Sequence, residues 1–436
     1  MKLTIFQSDK GDCLLLEAKT GQLVLCDGGM GTSMRNEVRG ELAKLREQDR
    51  ELEFAYISHI DADHINGVLQ LLEDEADWRV FELHKDDPEP TRKPKFDRPP
   101  VIKGILHNGF RDQLKVNGGP LKDEITAAEI EQILMSAPPA LFGTAVPELM
   151  TMADEMQAIA TGIPESLKIA RLSAADALDI PLNKPPGVSK ASRLLFAGQP
   201  GDEFKLGSMK FTLLGPTEDE LKKLRKGWVH WLQNNKQRLK EIRAELKKRV
   251  DDFSTGALAE SPFDLRDWEG IPDFKGVTMP NVASLMFMVE EGKKKLLLTG
   301  DGQQDFILAG LKRTGFLTGD NDHLHVNVLK VQHHGSENNM DDNFASKVSA
   351  DHYVFCGNGE HNNPDLSVLD IVFRSRQNDD KKFDFWFSTT ADAQDEGSVR
   401  RRHFEKVEER ARKLKSQSNG RLTLHFNEKV GIELPI

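Results

Sequence analysis

The chain has 436 residues, 38% of them hydrophobic and 30% charged, with a formal net charge of -11. That balance describes a soluble globular chain long enough for a large core, and it excludes a general basic footprint for duplex nucleic acid. No apolar run reaches membrane-spanning length, Met1–Phe6 lacks a signal-peptide block, and three cysteines (Cys13, Cys26, Cys356) make no disulfide framework, so a cytoplasmic protein with reduced thiols and no membrane contact is expected.

The first segment reads as three strands, Lys2 to Phe6, Cys13 to Glu17 and Gln22 to Cys26, with turn signals at Gly11-Asp12 and Thr20-Gly21 and with Asp27-Gly28-Gly29 at the end. A helix is expected around Asn36 to Glu47. The next apolar run (Phe54, Tyr56, Ile57) reads as a strand and delivers Ser58-His59-Ile60-Asp61-Ala62-Asp63-His64. Val68, Leu71 and Leu72 continue as a short amphipathic helix.

From 77 to 199 the chain turns Pro-rich and basic in its loops, around helical patterns such as Leu149, Met152, Met156 and Ile159, and reads as an inserted helical subdomain. A strand returns at Met209 to Leu214. A second insertion, 218–275, opens with a basic amphipathic helix (Leu221, Leu224, Trp228, Trp231, Leu232, Leu239, Ile242, Leu246). Such a stripe is more often a helix packed on a core than a partner surface.

Strands resume at Ser284 to Val289, then at Lys295 to Leu298, ending in Thr299-Gly300-Asp301. Val326 to Val331 follows, ending in Gln332-His333-His334-Gly335-Ser336, then His352 to Cys356 and Phe383 to Ser388. Residues 397–436 offer a helix (Val399 to Leu414) and a hairpin of Arg421–Phe426 with Val430–Leu434. The expected organisation is one α/β domain, 1–436, carrying two helical insertions.

The chemistry concentrates in His59, Asp61, Asp63 and His64. Two carboxylates that close repel each other unless a cation lies between them, and a divalent ion would be the largest local charge. The plainer reading is a solvated acidic loop with incidental histidines. Position argues against it: ligand-type residues recur at the C-terminal ends of successive strands, as Asp27, His59 to His64, Asp301, His333/His334 and His361. Strand ends of an α/β sheet converge in space.

These motifs resemble the metallo-β-lactamase superfamily: His59-x-Asp61-x-Asp63-His64 after a strand ending in Asp27-Gly28-Gly29, then Leu-Thr-Gly-Asp301 and Lys330-Val-Gln-His333-His334-Gly335-Ser336. Within it they are most similar to the hydrolase domain of the competence protein ComEC and its soluble relatives, which share the Asp61 variant, Asn281-x-x-Ser284 and a closing Asn358-x-x-His361-x-x-Pro364. The resemblance implies an αββα sandwich with one or two divalent ions at one edge. By it, His59 and Asp61 serve one ion, Asp63 and His64 the other, Asp301 bridges them, and His333 or His334 completes the second site. Asp27 is expected to orient the ligand loop.

One departure stands at Leu214-Gly215-Pro216, where the family places a further histidine. Either the first site is weak, or it fills only with substrate, or another residue such as His107 completes it; a lone histidine is more often structural. The carboxylate-rich set suits Mn²⁺ or Mg²⁺ beside Zn²⁺.

The resemblance implies a metal-dependent phosphodiesterase or nuclease that uses an activated water, with nucleic acid as substrate. Asp63, His334 and His361 are the catalytic candidates, the two histidines as proton donors to the leaving oxygen. Basic segments (Arg92 to Arg98, Lys222 to Lys226, Lys236 to Arg249) offer contacts for a phosphate backbone. Two other readings stay open. One is hydrolysis of a small ester, lactone or cyclic nucleotide. The other is a metal-bound sensor or scaffold subunit of a bacterial defence or stress system, with a protein partner on its helical insertions.

Overall fold

Two β-sheets, of six and eight strands, lie at the centre of the computed structural model of the chain. The structure describes residues 1–109, 165–166, 168–192, 194–222, 284–319, 322–377 and 380–436. The helical pattern at Leu149–Ile159, the amphipathic stripe from Leu224 onward, Asn281 and the basic segments beyond Lys222 lie outside the described residues.

The first sheet has the order β14-β1-β2-β3-β4-β5. Its strands are β1 (Lys2–Phe6), β2 (Leu14–Glu17), β3 (Leu23–Cys26), β4 (Leu52–Tyr56), β5 (Ile105–Leu106) and β14 (Gly431–Pro435). The second runs β13-β12-β11-β10-β9-β8-β7-β6. It comprises β6 (Glu203–Leu206), β7 (Met209–Gly215), β8 (Met286–Glu291), β9 (Lys294–Leu298), β10 (Leu324–Lys330), β11 (Val348–Phe355), β12 (Phe383–Phe387) and β13 (Leu422–Phe426). Strands β3 to β5 are parallel, as are β9 to β13. Their buried runs are rich in Leu, Val and Phe, as expected of strands covered on both faces.

Three apolar clusters follow from this layering. Leu3, Ile5, Leu14, Val24 and Phe54 meet Phe211, Phe287, Leu298 and Val354 between the sheets. Outside the first sheet, α1 (Arg39–Glu47) and α2 (Ala62–His84) pack on Leu23, Leu25 and Ile57. Outside the second, α3 (Gln304–Arg313), α4 (Asp342–Lys347), α5 (Leu366–Ser375) and α6 (Val399–Gln417) cover Leu297, Leu329, Phe355 and Phe385. The architecture is therefore αββα, two sheets face to face with helices on both outer faces.

Two expectations are corrected here. The helix leaving the His59–His64 run is not short: α2 has 23 residues, because Asp74 is buried and bonded to Arg39 and Gln70 and lets the helix continue past its apolar stripe. The last two strands do not form a hairpin. β13 pairs parallel with β12, whereas β14 pairs antiparallel with β1 in the other sheet. Each strand satisfies an otherwise open edge. Asn427 fixes the crossing, its N–H donating to Phe387 O (3.1 Å) and its side chain to Ile5 O (3.2 Å). Strand β5, within 77–199, extends the first sheet beyond β4.

Candidate metal centre

Strand β4 ends at Tyr56, and the loop to α2 carries Ser58, His59 and Asp61 before Asp63 and His64 open the helix. Asp27 organises this loop from the end of β3. Its Oδ1 accepts from Ser58 N–H (2.7 Å), and its Oδ2 accepts from the Ser58 hydroxyl (2.8 Å) and from His64 Nδ1 (3.0 Å). Asp27 sits at φ 56°, a left-handed conformation that a non-glycine residue holds only where its surroundings enforce it. Behind it, α2 lies backbone to backbone against the Gly28 turn. A Cβ on Gly67 would stand 1.8 Å from Gly28 O, so the approach needs glycine.

The opposite wall comes from the second sheet. Asp301 follows β9, and His333 and His334 follow β10 in consecutive left-handed conformations (φ 48° and 55°). His334 Nδ1 faces Asp12 Oδ1 at 3.0 Å, and His333 Nδ1 faces Asn339 Oδ1 at 2.7 Å. Asn339 also donates to Asp301 O (3.1 Å), which sets the direction of its amide.

Within this frame the ligand atoms meet. His64 Nε2 and His334 Nε2 are 3.3 Å apart. Asp301 Oδ1 is 3.3 Å from His64 Nε2, and Asp301 Oδ2 is 3.4 Å from His334 Nε2. Asp63 Oδ2 is 3.3 Å from His334 Nε2. Because both Nδ1 atoms face carboxylates, both Nε2 atoms turn their lone pairs to the same point. Two lone pairs facing across 3.3 Å demand a cation between them.

Without a metal ion that cation is a proton. Burial works against charged imidazoles here, but Asp301 with Asp27 raises His64 well above the ordinary histidine range, and Asp301 with Asp12 does the same for His334. Burial likewise opposes ionisation of Asp63 and Asp301, and is outweighed by His334 and His64, which hold both carboxyls well down. A divalent ion takes the place of these protons.

Asp12, His64, Asp301 and His334 are all buried, with one ligand atom from each lying within 4.8 Å of the others. Both oxygens of Asp12 are already engaged, one by His334 Nδ1 and the other by Lys330 Nζ. Asp63 is therefore the better fourth donor. The donor set fits a divalent ion: two imidazole nitrogens with Asp301 against both and Asp63 Oδ2 beside His334 Nε2, and Asp301 Oδ1 lacks a hydrogen-bond partner among the described residues.

The remaining sequence candidates are placed as follows. His59 and Asp61 lie beside the cluster, with His59 Nε2 3.3 Å from Asp61 Oδ2 and 3.9 Å from Asp301 Oδ2. His333 Nε2 is 3.7 Å from Asp301 Oδ2, and its side chain is 18% exposed. His107 is buried at the end of β5. His361 is exposed in the turn Glu360–Asn362, whereas the cluster is buried.

Sequence reasoning missed two residues. Asp12 was read only as part of a turn, yet it is buried and holds His334. Lys330 is 1% exposed, and its ammonium meets Asp12, Asp301 (3.6 Å) and Gly300 O (2.9 Å). Burial pushes its pKa down, but Asp12 and Asp301 hold it above the usual lysine value. A lysine inside the apolar run Val326–Val331 was the available signal, since a buried ammonium requires a carboxylate partner.

Comparison with known proteins bears on the fold. No curated protein sequence matches the chain. A long form RNase Z from yeast is a similar solved structure, with 13% identity and a TM-score of 0.30 over 89% of this chain. The match covers 36% of that protein's length. Among the described residues no helix is long and apolar enough to cross a membrane. Residues 9–135, which include Asp12, Asp27 and the whole His59–His64 run, match the model of the Metallo-beta-lactamase superfamily, and the two-sheet α/β architecture is consistent with that fold.

Proposed function

We propose that the chain is a metal-dependent phosphodiesterase, with nucleic acid as its substrate class. The observation that carries the metal dependence is the 3.3 Å approach of His64 Nε2 and His334 Nε2 between Asp63 and Asp301. A mixed set of imidazole nitrogens and carboxylates accepts Mn²⁺ as well as Zn²⁺, and such ions pair with phosphoryl oxygens. The basic run Arg92 to Arg98, on a chain of net charge -11, offers local contacts for a phosphate backbone. When bound, such an ion lowers the pKa of a water and stabilises charge on the phosphoryl group.

The protein's own residues divide the remaining work. His64, His334, Asp63 and Asp301 hold the ion, with Asp27 and Asp12 fixing the two imidazoles in their liganding tautomers. This assigns His334, rather than His333, as the ligand from that pair. His333 keeps its Nδ1 proton on Asn339 and turns Nε2 inward. Burial lowers its pKa, so it is neutral near pH 7 and suited to accept a proton. His361, in its exposed turn, is left as a contact for the leaving portion of the substrate.

The test is cleavage by the purified protein with Mn²⁺, Mg²⁺ or Zn²⁺ against single-stranded DNA, duplex DNA, RNA and bis-p-nitrophenyl phosphate. Metal-dependent cleavage of a polymer that is lost in Asp63→Ala supports the proposal. Activity that survives Asp63→Ala sinks it. Turnover of the small diester alone shifts the substrate to small phosphodiesters, and silence on all four favours the scaffold reading.

A further inference from the structure

On a chain of net charge -11, one cavity carries the opposite sign. It holds about 450 Å³, within the range of small-ligand sites, and lies between α1, the C-terminal half of α2 and the segment 93–98. Four cationic side chains line it against two carboxylates, and its ring surfaces are Trp78 and Phe96.

Its walls are fixed. Trp78 Nε1 donates to Phe96 O (3.2 Å), and the Phe81 ring meets the indole nearly perpendicular, with centroids 5.9 Å apart. Glu75, on the same helix, accepts from Arg98 Nε (2.9 Å) and Nη2 (2.7 Å), and Arg46 on α1 donates to Pro99 O (3.0 Å). These bonds tie the segment to both helices. Burial and the neighbouring Arg98 both lower the Arg46 pKa, the mark of crowded positive charge.

The two arginines are thus held as structure, and the two lysines are not. Lys93 Nζ lies over the Trp78 ring, 5.4 Å from its centroid. Among the described residues no carboxylate pairs with Lys93 or Lys95, and both side chains are exposed. An aromatic wall beside unpaired ammonium groups suits a ligand that joins a π-face to an anion, and a nucleotide is such a unit. Bases in a duplex are stacked and paired, so the rings favour an unpaired one. Helix α2 connects this cavity with the metal cluster: from Asp63 to Trp78 it runs about 22 Å at the rise of an α-helix. That distance is about six nucleotides at a phosphate spacing of ~3.4 Å, beyond a small diester and within reach of a polymer.

We propose that this cavity binds one unpaired nucleotide of a single-stranded nucleic acid, its base on Trp78 and Phe96 and the adjoining phosphates on Lys93 and Lys95. The inference rests on the phosphodiesterase reading for the choice of a strand over a free nucleotide.

The experiment is strand binding by the full chain in chelator, read by fluorescence anisotropy of an end-labelled oligothymidylate of about 20 nucleotides, with circular dichroism to confirm folding. The expected result is that Trp78→Ala weakens binding about 5- to 100-fold with its salt dependence unchanged, and that Trp78→Phe restores most of it. Lys93→Ala/Lys95→Ala, on exposed side chains, should weaken binding and also flatten the slope of log Kd against log salt by about 1.4. Binding of the same oligonucleotide as a duplex should not depend on Trp78. Wild-type affinity in the folded Trp78→Ala and double-lysine variants overturns the site, as does duplex binding that is equally sensitive to Trp78. Competition by thymidine monophosphate at the strand's own affinity overturns the strand and reassigns the cavity to a free nucleotide. Binding with the expected signatures by a chain that cleaves no phosphodiester upholds the site and removes the proposed function. Metal-dependent cleavage with binding indifferent to every variant does the reverse.

Discussion

At the scale of single residues, the most informative contact is one that the chemistry of hydrolysis does not require. Lys330 and Asp12 form a buried ion pair, and Asp12 in turn holds His334. Removing one member leaves an uncompensated buried charge, worth about 3–5 kcal/mol. Lys330→Met is therefore expected to destabilise the protein by that amount in urea unfolding. The double variant Lys330→Met/Asp12→Asn should recover part of the stability while metal affinity stays impaired. Simple additivity of the two single variants would show that the pair is not coupled. The thiols behave differently: burial pushes Cys13, Cys26 and Cys356 well above the usual thiol range. A thiol reagent at pH 8 should label none of the three in the native state and all three after denaturation.

At the scale of elements, the site depends on turns that hold unusual backbone. Asp27, His333 and His334 are all left-handed, and each closes a strand. The Gly28–Gly67 contact locks α2 against the first of these turns. Gly67→Ala forces the two backbones apart. Overpacking of this kind costs about 1–3 kcal/mol, and because α2 carries Asp63 and His64 the same variant should lose metal affinity.

The pH dependence has a definite sign. His64 and His334 have raised folded pKa values without metal, so their stabilising contribution is fully present below about 6.5, the ordinary histidine value, and is lost as pH rises through the raised ones. In chelator the melting temperature should fall as pH increases from about 6.5, and saturating Mn²⁺ should abolish that fall. A melting temperature in chelator that is flat or rising above pH 6.5 would contradict this account.

The sequence made some of these elements legible and hid others. The His59–His64 run was readable because four ligand-type side chains within six positions follow a strand. Asp301 and the His333/His334 pair were readable from strand-end position. Asp12 was not, because its burial is created by strands hundreds of residues away. The proposed choice of His334 over His333 depends on Asp12 and Asn339, which no local pattern connects to them.

At the scale of the whole molecule, the αββα layering was what the resemblance to the metallo-β-lactamase superfamily implied, and the three apolar clusters realise it. The last two strands misled because their pattern is local while their pairing is not. Two β-segments separated by Asn427-Glu428-Lys429 look like a hairpin, yet each finds a better edge in a different sheet. This arrangement also sets a timetable for synthesis. β1 leaves the ribosome long before its partner β14, with Lys2 opposite Pro435. One edge of the first sheet therefore stays open until β14 has emerged, and unpaired edges are prone to aggregate. His64 likewise waits 270 residues for His334. The nascent chain must be kept from aggregating until these distant partners have emerged.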